Sequence, residues 1–183
     1  MAPNLALVPS YAPPPNTEIW CCNNPKHYRK AIPTEGLEHF TRWFNLHSER
    51  HMRATYPKAL EWYAAHAPKP IYLQHPLPDV PNSVTFPKDE ILAYVGHRYI
   101  QFSGAWLMAY AEFLGLERVE LYGFIISDRK GAYAWERPNF FYWVDRLQRR
   151  GIHVETQPEV WVGDCTIGSP DGYTGPLYGY ETT

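Results

Sequence analysis

The stretch Ser103–Ile126, SGAWLMAYAEFLGLERVELYGFII, decides the fold class. Its first half, residues 103–114, is apolar nearly all round, and a helix of that kind must be buried on most sides. Ser103 stands where an N-cap belongs, and Gly115 stands where a left-handed C′ residue belongs. Its second half, Val119–Ile126, is rich in β-branched and aromatic residues and reads as a strand. A buried helix that turns through a glycine into a buried strand is part of an α/β layer structure.

The same alternation extends outward in both directions. Strand-like runs occur at Leu5–Val8, Glu18–Cys22, Arg42–His47, Pro70–Gln74, Ile152–Thr156 and, more briefly, Val84–Phe86. Helical windows lie between them. In 55–66, Tyr56, Leu60, Tyr63 and Ala64 share one face. Pro87 opens a short helix at Lys88–Val95 that Gly96 closes. In 138–150, started by Pro138 and ended by Gly151, a stripe of Phe140, Val144 and Leu147 recurs, with Arg146, Arg149 and Arg150 in the last turn. Strands that alternate with helices predict a Rossmann-like α/β fold. The expected sheet is mostly parallel, has about six to seven strands and carries helices on both faces. The expected core domain is 1–160, and 161–183 is a Gly- and Tyr-rich irregular tail packed on it.

Composition narrows the class. The chain has 183 residues, which is one domain's worth, with 20% charged residues and a formal net charge of -2. Its 14 Tyr, 8 Phe and 7 Trp exclude the disordered class. No run approaches the ~20 apolar residues of a membrane span. No basic n-region with an apolar h-region marks a secretory signal, and the chain is expected in the cytoplasm. A sequence pI near 6.4 gives no global basic field for a nucleic acid. Three cysteines, with Cys21 and Cys22 adjacent, make neither a disulfide framework nor a zinc site.

In an open parallel sheet, ligands bind outside the carboxyl ends of the strands, at the point where the strand order reverses. The loops to inspect therefore follow each strand: 9–15, 23–27, 47–51, 75–79, 101–104 and 124–137. The first, Pro9-Ser10-Tyr11-Ala12-Pro13-Pro14-Pro15, has no glycine. A dinucleotide fingerprint needs glycines for close backbone approach, so that reading and the P-loop are excluded. Ser103-Gly104 at a helix start suits either an anion, held by free N–H groups, or a plain N-cap with a close-packing glycine. In Gly131–Trp143, Tyr133 and Trp135 offer stacking faces and Glu136 or Arg137 offers a charge, or these aromatics are packing. His47 ends a strand and is followed by Ser48, Glu49 and His51, which suits a general base. His75 ends the next run. No ligand spacing supports a metal site among these histidines.

Four pieces of this sequence resemble the bacterial sialyltransferases that use a single Rossmann-like nucleotide-sugar domain, and a group of phage-associated proteins related to them. A strand ends in Cys22-Asn23, where those enzymes carry a Cys-Asn pair. Ser103-Gly104 opens a helix that runs into Ala111-Glu112-Phe113-Leu114-Gly115. A strand follows with Leu121-Tyr122-Gly123. Tyr133-Ala134-Trp135 then matches a Tyr-Ala-Phe motif. The phage-associated group adds Trp43–His47, Pro81–Val84 and Tyr178–Glu181. The specific part of the resemblance spans Gln101–Val160.

The resemblance implies a glycosyltransferase-like protein that takes a CMP- or UDP-linked sugar, with DNA, a nucleotide or a glycan as acceptor. If the chain is phage-encoded, the resemblance implies action in the host cytoplasm. It assigns Asn23, Ser103, Gly104 and Tyr133 as nucleotide contacts and points to the first loop, where Ser10 is the candidate; the stacking face of Trp135 and the charge of Arg137, read from the residues, join them as candidate contacts. It makes Tyr133 a phosphate-side catalytic hydroxyl and leaves His47 as the base. Four departures stand out. No histidine lies between Tyr133 and Ile152, where the family has its catalytic one, so His47 would have to replace it. The first loop lacks the family's glycines, Ile125 replaces its aspartate, and Ser127 replaces a phosphate-side tyrosine. Those departures imply the alternative of a binding module that holds a nucleotide-like ligand or a protein and does no chemistry.

Overall fold

A computed structural model of the chain describes residues 15–23, 25, 39–122, 133–156, 170–171 and 177–180, with side chains in the last helix described from Glu136 onward. The fold is α/β with parallel sheets, and the chain divides into two compact units, Ala2–Phe86 and Pro87–Thr183.

The N-terminal unit runs β1 (Trp20–Cys22), β2 (Arg42–Phe44), α1 (Glu49–Thr55), α2 (Pro57–Ala65), β3 (Ile71–Leu73) and β4 (Ser83–Thr85). Its four strands are all parallel and pair in the order β1-β2-β3-β4. The side-chain period of two puts Cys21, Trp43, Ile71 and Leu73 on one face. That face packs into a core with Phe40, Met52, Leu60 and Tyr63, so α1 and α2 are its cover. β3 reaches the parallel β4 through a short connection, 74–82, without a helix. A bridge between Leu77 and Val80 tightens it. Ser83 Oγ donates to Val80 O (2.6 Å), and Asn82 Nδ2 donates to Tyr63 O (3.0 Å) and Lys69 O (2.7 Å).

The C-terminal unit runs α3 (Lys88–Val95), α4 (Ser103–Phe113), β5 (Arg118–Leu121), α5 (Tyr133–Arg149) and β6 (His153–Thr156), with β5 parallel to β6. Gly96 closes α3 at φ +81°, a left-handed conformation that costs glycine nothing. α4 is buried on nearly every side, as its composition predicts.

Several expectations are corrected. The described strands form a four-stranded and a two-stranded sheet, not one sheet of six to seven, and each strand is only three or four residues long. The four-stranded sheet runs in sequence order, so it contains no reversal and no switch point. β2 stops at Phe44 instead of running to His47, and Asn45 just beyond it donates its Nδ2 to Tyr63 Oη. Glu49–Thr55 is a helix that the apolar spacing did not announce, with Ser48 as its N-cap (Oγ accepts His51 N–H, 3.2 Å). α5 begins at Tyr133 and runs through Pro138, so Tyr133–Arg137 is helix and not loop. Ser103 is the first helical residue, and Phe102 with extended dihedrals is the N-cap. The Leu5–Val8 run, the Gly123–Ile126 end of the fifth run and nearly all of the tail lie outside the described residues.

Candidate functional site

All four parallel strands of the N-terminal unit end on one edge, so the residues that follow β1, β2 and β3 come together there. Asn23 follows β1 with φ +67°, a backbone region that asparagine tolerates better than most residues. Its N–H donates to Phe44 O (2.8 Å), while its carbonyl accepts Trp43 Nε1 (2.8 Å) and Tyr63 Oη (3.1 Å). Asn45 follows β2 and is fully buried. Its N–H donates to Tyr72 O (2.9 Å), its Nδ2 donates to Tyr63 Oη (2.9 Å), and its Oδ1 accepts His47 N–H (3.3 Å). Burial pushes the Tyr63 hydroxyl well above the ordinary tyrosine range, so it stays protonated and serves as a link. Asn23, Asn45, Tyr63 and His47 are thus one hydrogen-bonded chain beneath the strand ends. Gln74, after β3, donates to Leu46 O (2.8 Å) and fixes the neighbouring loop.

This frame holds a group of rings. The His47 and His51 centroids lie 4.8 Å apart, and Tyr56 lies 5.5 Å from His51 and 6.5 Å from His47. His75 Nε2 is 3.0 Å from Glu49, which also binds Arg53 (2.7 Å), and Arg53 takes both oxygens of Asp79 (2.8 and 2.9 Å). Arg53 holds the Glu49 and Asp79 carboxyls below the usual range. A shallow cleft of about 380 Å³ lined by Arg53, Pro57, Leu60, Glu61 and Asp79 lies beside this ion-pair chain. Chemically the edge offers imidazole rings and aromatic faces able to stack on a base. Among the described residues no three His, Cys, Asp or Glu side chains are grouped to hold a metal ion. Burial and the neighbouring Cys22 push the Cys21 thiol up to about 12, so it is not a nucleophile at neutral pH.

Of the residues chosen from sequence, His47 and Asn23 belong to this edge. Ser103, Gly104 and Arg137 belong to the C-terminal unit, as do the backbones of Tyr133 and Trp135 in the first turn of α5. The side chains of Tyr133 and Trp135, and all of Ser10, lie outside the described residues. Ser103 and Gly104 are buried at the start of α4, and the chain itself covers that start. Ser103 Oγ is 3.5 Å from Tyr178 Oη, Trp106 Nε1 donates to Tyr178 O (3.0 Å), and Tyr178 N–H donates to Ile100 O (3.2 Å). Arg137 lies 5.9 Å over Phe141, one turn further along α5.

Sequence reading missed the groups that organise both units. Asn45 was legible as an amide inside an apolar run, which must find partners once buried. Glu112 was legible in the same way, as the single carboxylate in an otherwise apolar helix. Asn139, fully buried, donates to Tyr99 O (3.0 Å) and accepts Gln101 N–H (3.0 Å); no spacing announces it. Compared with known proteins, the chain matches no family model, no curated protein and no solved structure.

Proposed function

We propose that the chain is a nucleotide- or nucleotide-sugar-binding protein of Rossmann-like architecture, glycosyltransferase-like in its chemistry. The observation that carries this reading is the single carboxyl edge of a parallel sheet where Asn23 and the His47–His51–Tyr56 ring group meet on a buried hydrogen-bonded frame. The rule for open α/β sheets places ligands at the carboxyl ends of strands, and although this sheet has no switch point its carboxyl edge is the side that gathers these polar and aromatic groups. His47 is the group to accept the proton of an acceptor hydroxyl, and Tyr56 and His51 supply faces for a base or sugar. Ser10, Ser103, Gly104, Tyr133, Trp135 and Arg137 remain the proposed phosphate and sugar contacts, with Tyr133 as the hydroxyl that steadies the departing phosphate. A CMP- or UDP-linked sugar is the donor class, and DNA, a nucleotide or a glycan is the acceptor class.

One observation favours the second reading, a binding module without catalysis. The Ser103–Gly104 helix start is covered by Tyr178, which leaves a phosphate no access while that segment stays in place. Thermal unfolding with CMP, UMP, UDP-sugars and free nucleotides tests both readings. A ligand at about 100 times its dissociation constant adds about 2.7 kcal/mol. A rise in Tm with one member of the panel is expected, and flat curves across the panel reject the nucleotide reading. Once turnover is found, His47→Ala and Tyr133→Phe decide between the two. Loss of turnover with binding retained supports catalysis.

A further inference from the structure

Among the described residues, the large apolar side chains that are more than a third exposed are Tyr94, Phe113 and Leu114 (47, 36 and 39%). Exposed apolar residues scattered singly are ordinary on a monomer. These three are gathered in one place, where the C-terminal ends of α3 and α4 meet. Tyr94 of α3 and Phe113 of α4 pack edge to face (centroids 5.6 Å apart, 81°). Tyr110, itself buried, stacks behind Phe113 (6.3 Å, 21°), and Leu114 is the next residue of the chain. The helix ends beneath the patch are closed. Leu114 N–H donates to Tyr110 O (2.9 Å), Gly115 N–H to Glu112 O (3.0 Å) and Gly96 N–H to Leu92 O (3.0 Å). Rings held in this way lose little freedom on association, and aromatic side chains are enriched in the cores of protein interfaces.

The charges around the patch determine what fits it. Glu90, Ala93 and Tyr94 are all exposed and share one stripe of α3, by their spacing of three and four residues. Arg98 follows the helix end, just past Gly96. Glu90 and Arg98 are both exposed and form no ion pair among the described residues. Nearby charges are already committed, Asp89 to Lys88 (3.2 Å) and Arg150 to the buried Glu112 (3.1 Å). His97 adds no charge at neutral pH, because burial first and the Arg146 charge second push it down to about 4. The order along the chain is therefore acid, ring, base: Glu90, Tyr94, Arg98. Such an order is complementary to itself when reversed. A two-fold axis at Tyr94 sets a second α3 antiparallel to the first and brings acid opposite base at both ends. The small side chain of Ala93 lets the two helices approach closely.

We propose that this patch is the interface of a homodimer, in which two copies of α3 pack antiparallel about a two-fold axis at Tyr94, Phe113 and Leu114 fill the flanks, and Glu90 of one protomer meets Arg98 of its partner. The apolar core of such an interface is three large side chains per protomer, so it falls below the standard size and the dimer is weak and reversible. It uses none of the residues proposed for the ligand and stands whether or not a nucleotide binds.

Sedimentation equilibrium of the full chain at pH 7 tests this. A monomer–dimer equilibrium is expected with a Kd of about 10–100 µM, the weak end for protein interfaces, so loading is carried to about 1 mM. Tyr94→Glu is expected to raise Kd about tenfold or more, because it places two like charges at the axis. Glu90→Arg and Arg98→Glu are each expected to raise Kd severalfold, since like charges then meet at both ends of the interface. Glu90→Arg combined with Arg98→Glu is expected to return Kd to near the wild-type value. These two exposed positions have no ion pair to lose, and they keep the test decisive if Tyr94→Glu does not fold. A monomer at every concentration, a Kd unmoved by the single charge reversals, or no recovery in the double variant overturns the proposal.

Discussion

Asn23 has a residue's worth of strain and a site's worth of contacts. Its positive φ and its three backbone hydrogen bonds make it the pivot between β1 and the buried amide of Asn45. Asn23→Gly is expected to retain the fold. Asn23→Val is expected to lose about 1–2 kcal/mol in urea unfolding, the cost of the left-handed region to a side chain with a branched Cβ. His97 gives a second prediction at this scale. Its pKa is depressed in the folded chain, from 6.5 to about 4, so the unfolded chain binds its proton first as pH falls. The stability it contributes is whole above about pH 6.5 and is lost as pH drops toward 4. Chemical unfolding measured at pH 7, 5.5 and 4.5 is expected to show that decline, and His97→Gln is expected to flatten it.

At the scale of elements, α4 and α5 are joined by Glu112 and Arg146 as well as by apolar packing. Glu112→Ala strands a half-buried guanidinium, and such a loss costs about 3–5 kcal/mol. Calorimetry is expected to show a large fall in Tm. The connection 74–82 is held differently, by the exposed chain Asp79–Arg53–Glu49–His75. Both carboxyls are held below their ordinary range, so this latch is present above the usual carboxylate range and is lost as pH falls through the lowered values. Arg53→Ala is expected to speed amide exchange in 74–82 while leaving global unfolding nearly unchanged.

The elements themselves were largely legible. Hydrophobic spacing found α2, a proline start and a glycine stop found α3, an all-round apolar segment found α4, and apolar runs found β1 to β6 within a few residues. α1 was hidden because Glu49–Thr55 buries only Met52, too little for a stripe. α5 began early because a proline suggests a start but does not forbid a position inside a helix. The candidate site was half legible. His47 and Asn23 stood at strand ends, where the rule for parallel sheets looks. Asn45, Tyr63, His97 and Tyr142 join through contacts distant in sequence, which no local pattern encodes.

For the molecule as a whole, the division at Phe86 separates the proposed residues into two sets. Asn23 and His47 belong to the N-terminal unit, and Ser103, Gly104, Tyr133, Trp135 and Arg137 belong to the C-terminal unit. Among the described residues no helix is long and apolar enough to cross a membrane. The central claim is that the carboxyl edge of the four-stranded sheet receives a nucleotide. Titration of histidine-labelled full chain with CMP and with a UDP-sugar tests it most directly. Saturable movement of the His47 and His51 resonances is expected with at least one of the two ligands, abolished by Tyr56→Ala together with His51→Ala. Resonances of His47 and His51 that stay in place while every ligand reaches millimolar concentration would contradict it.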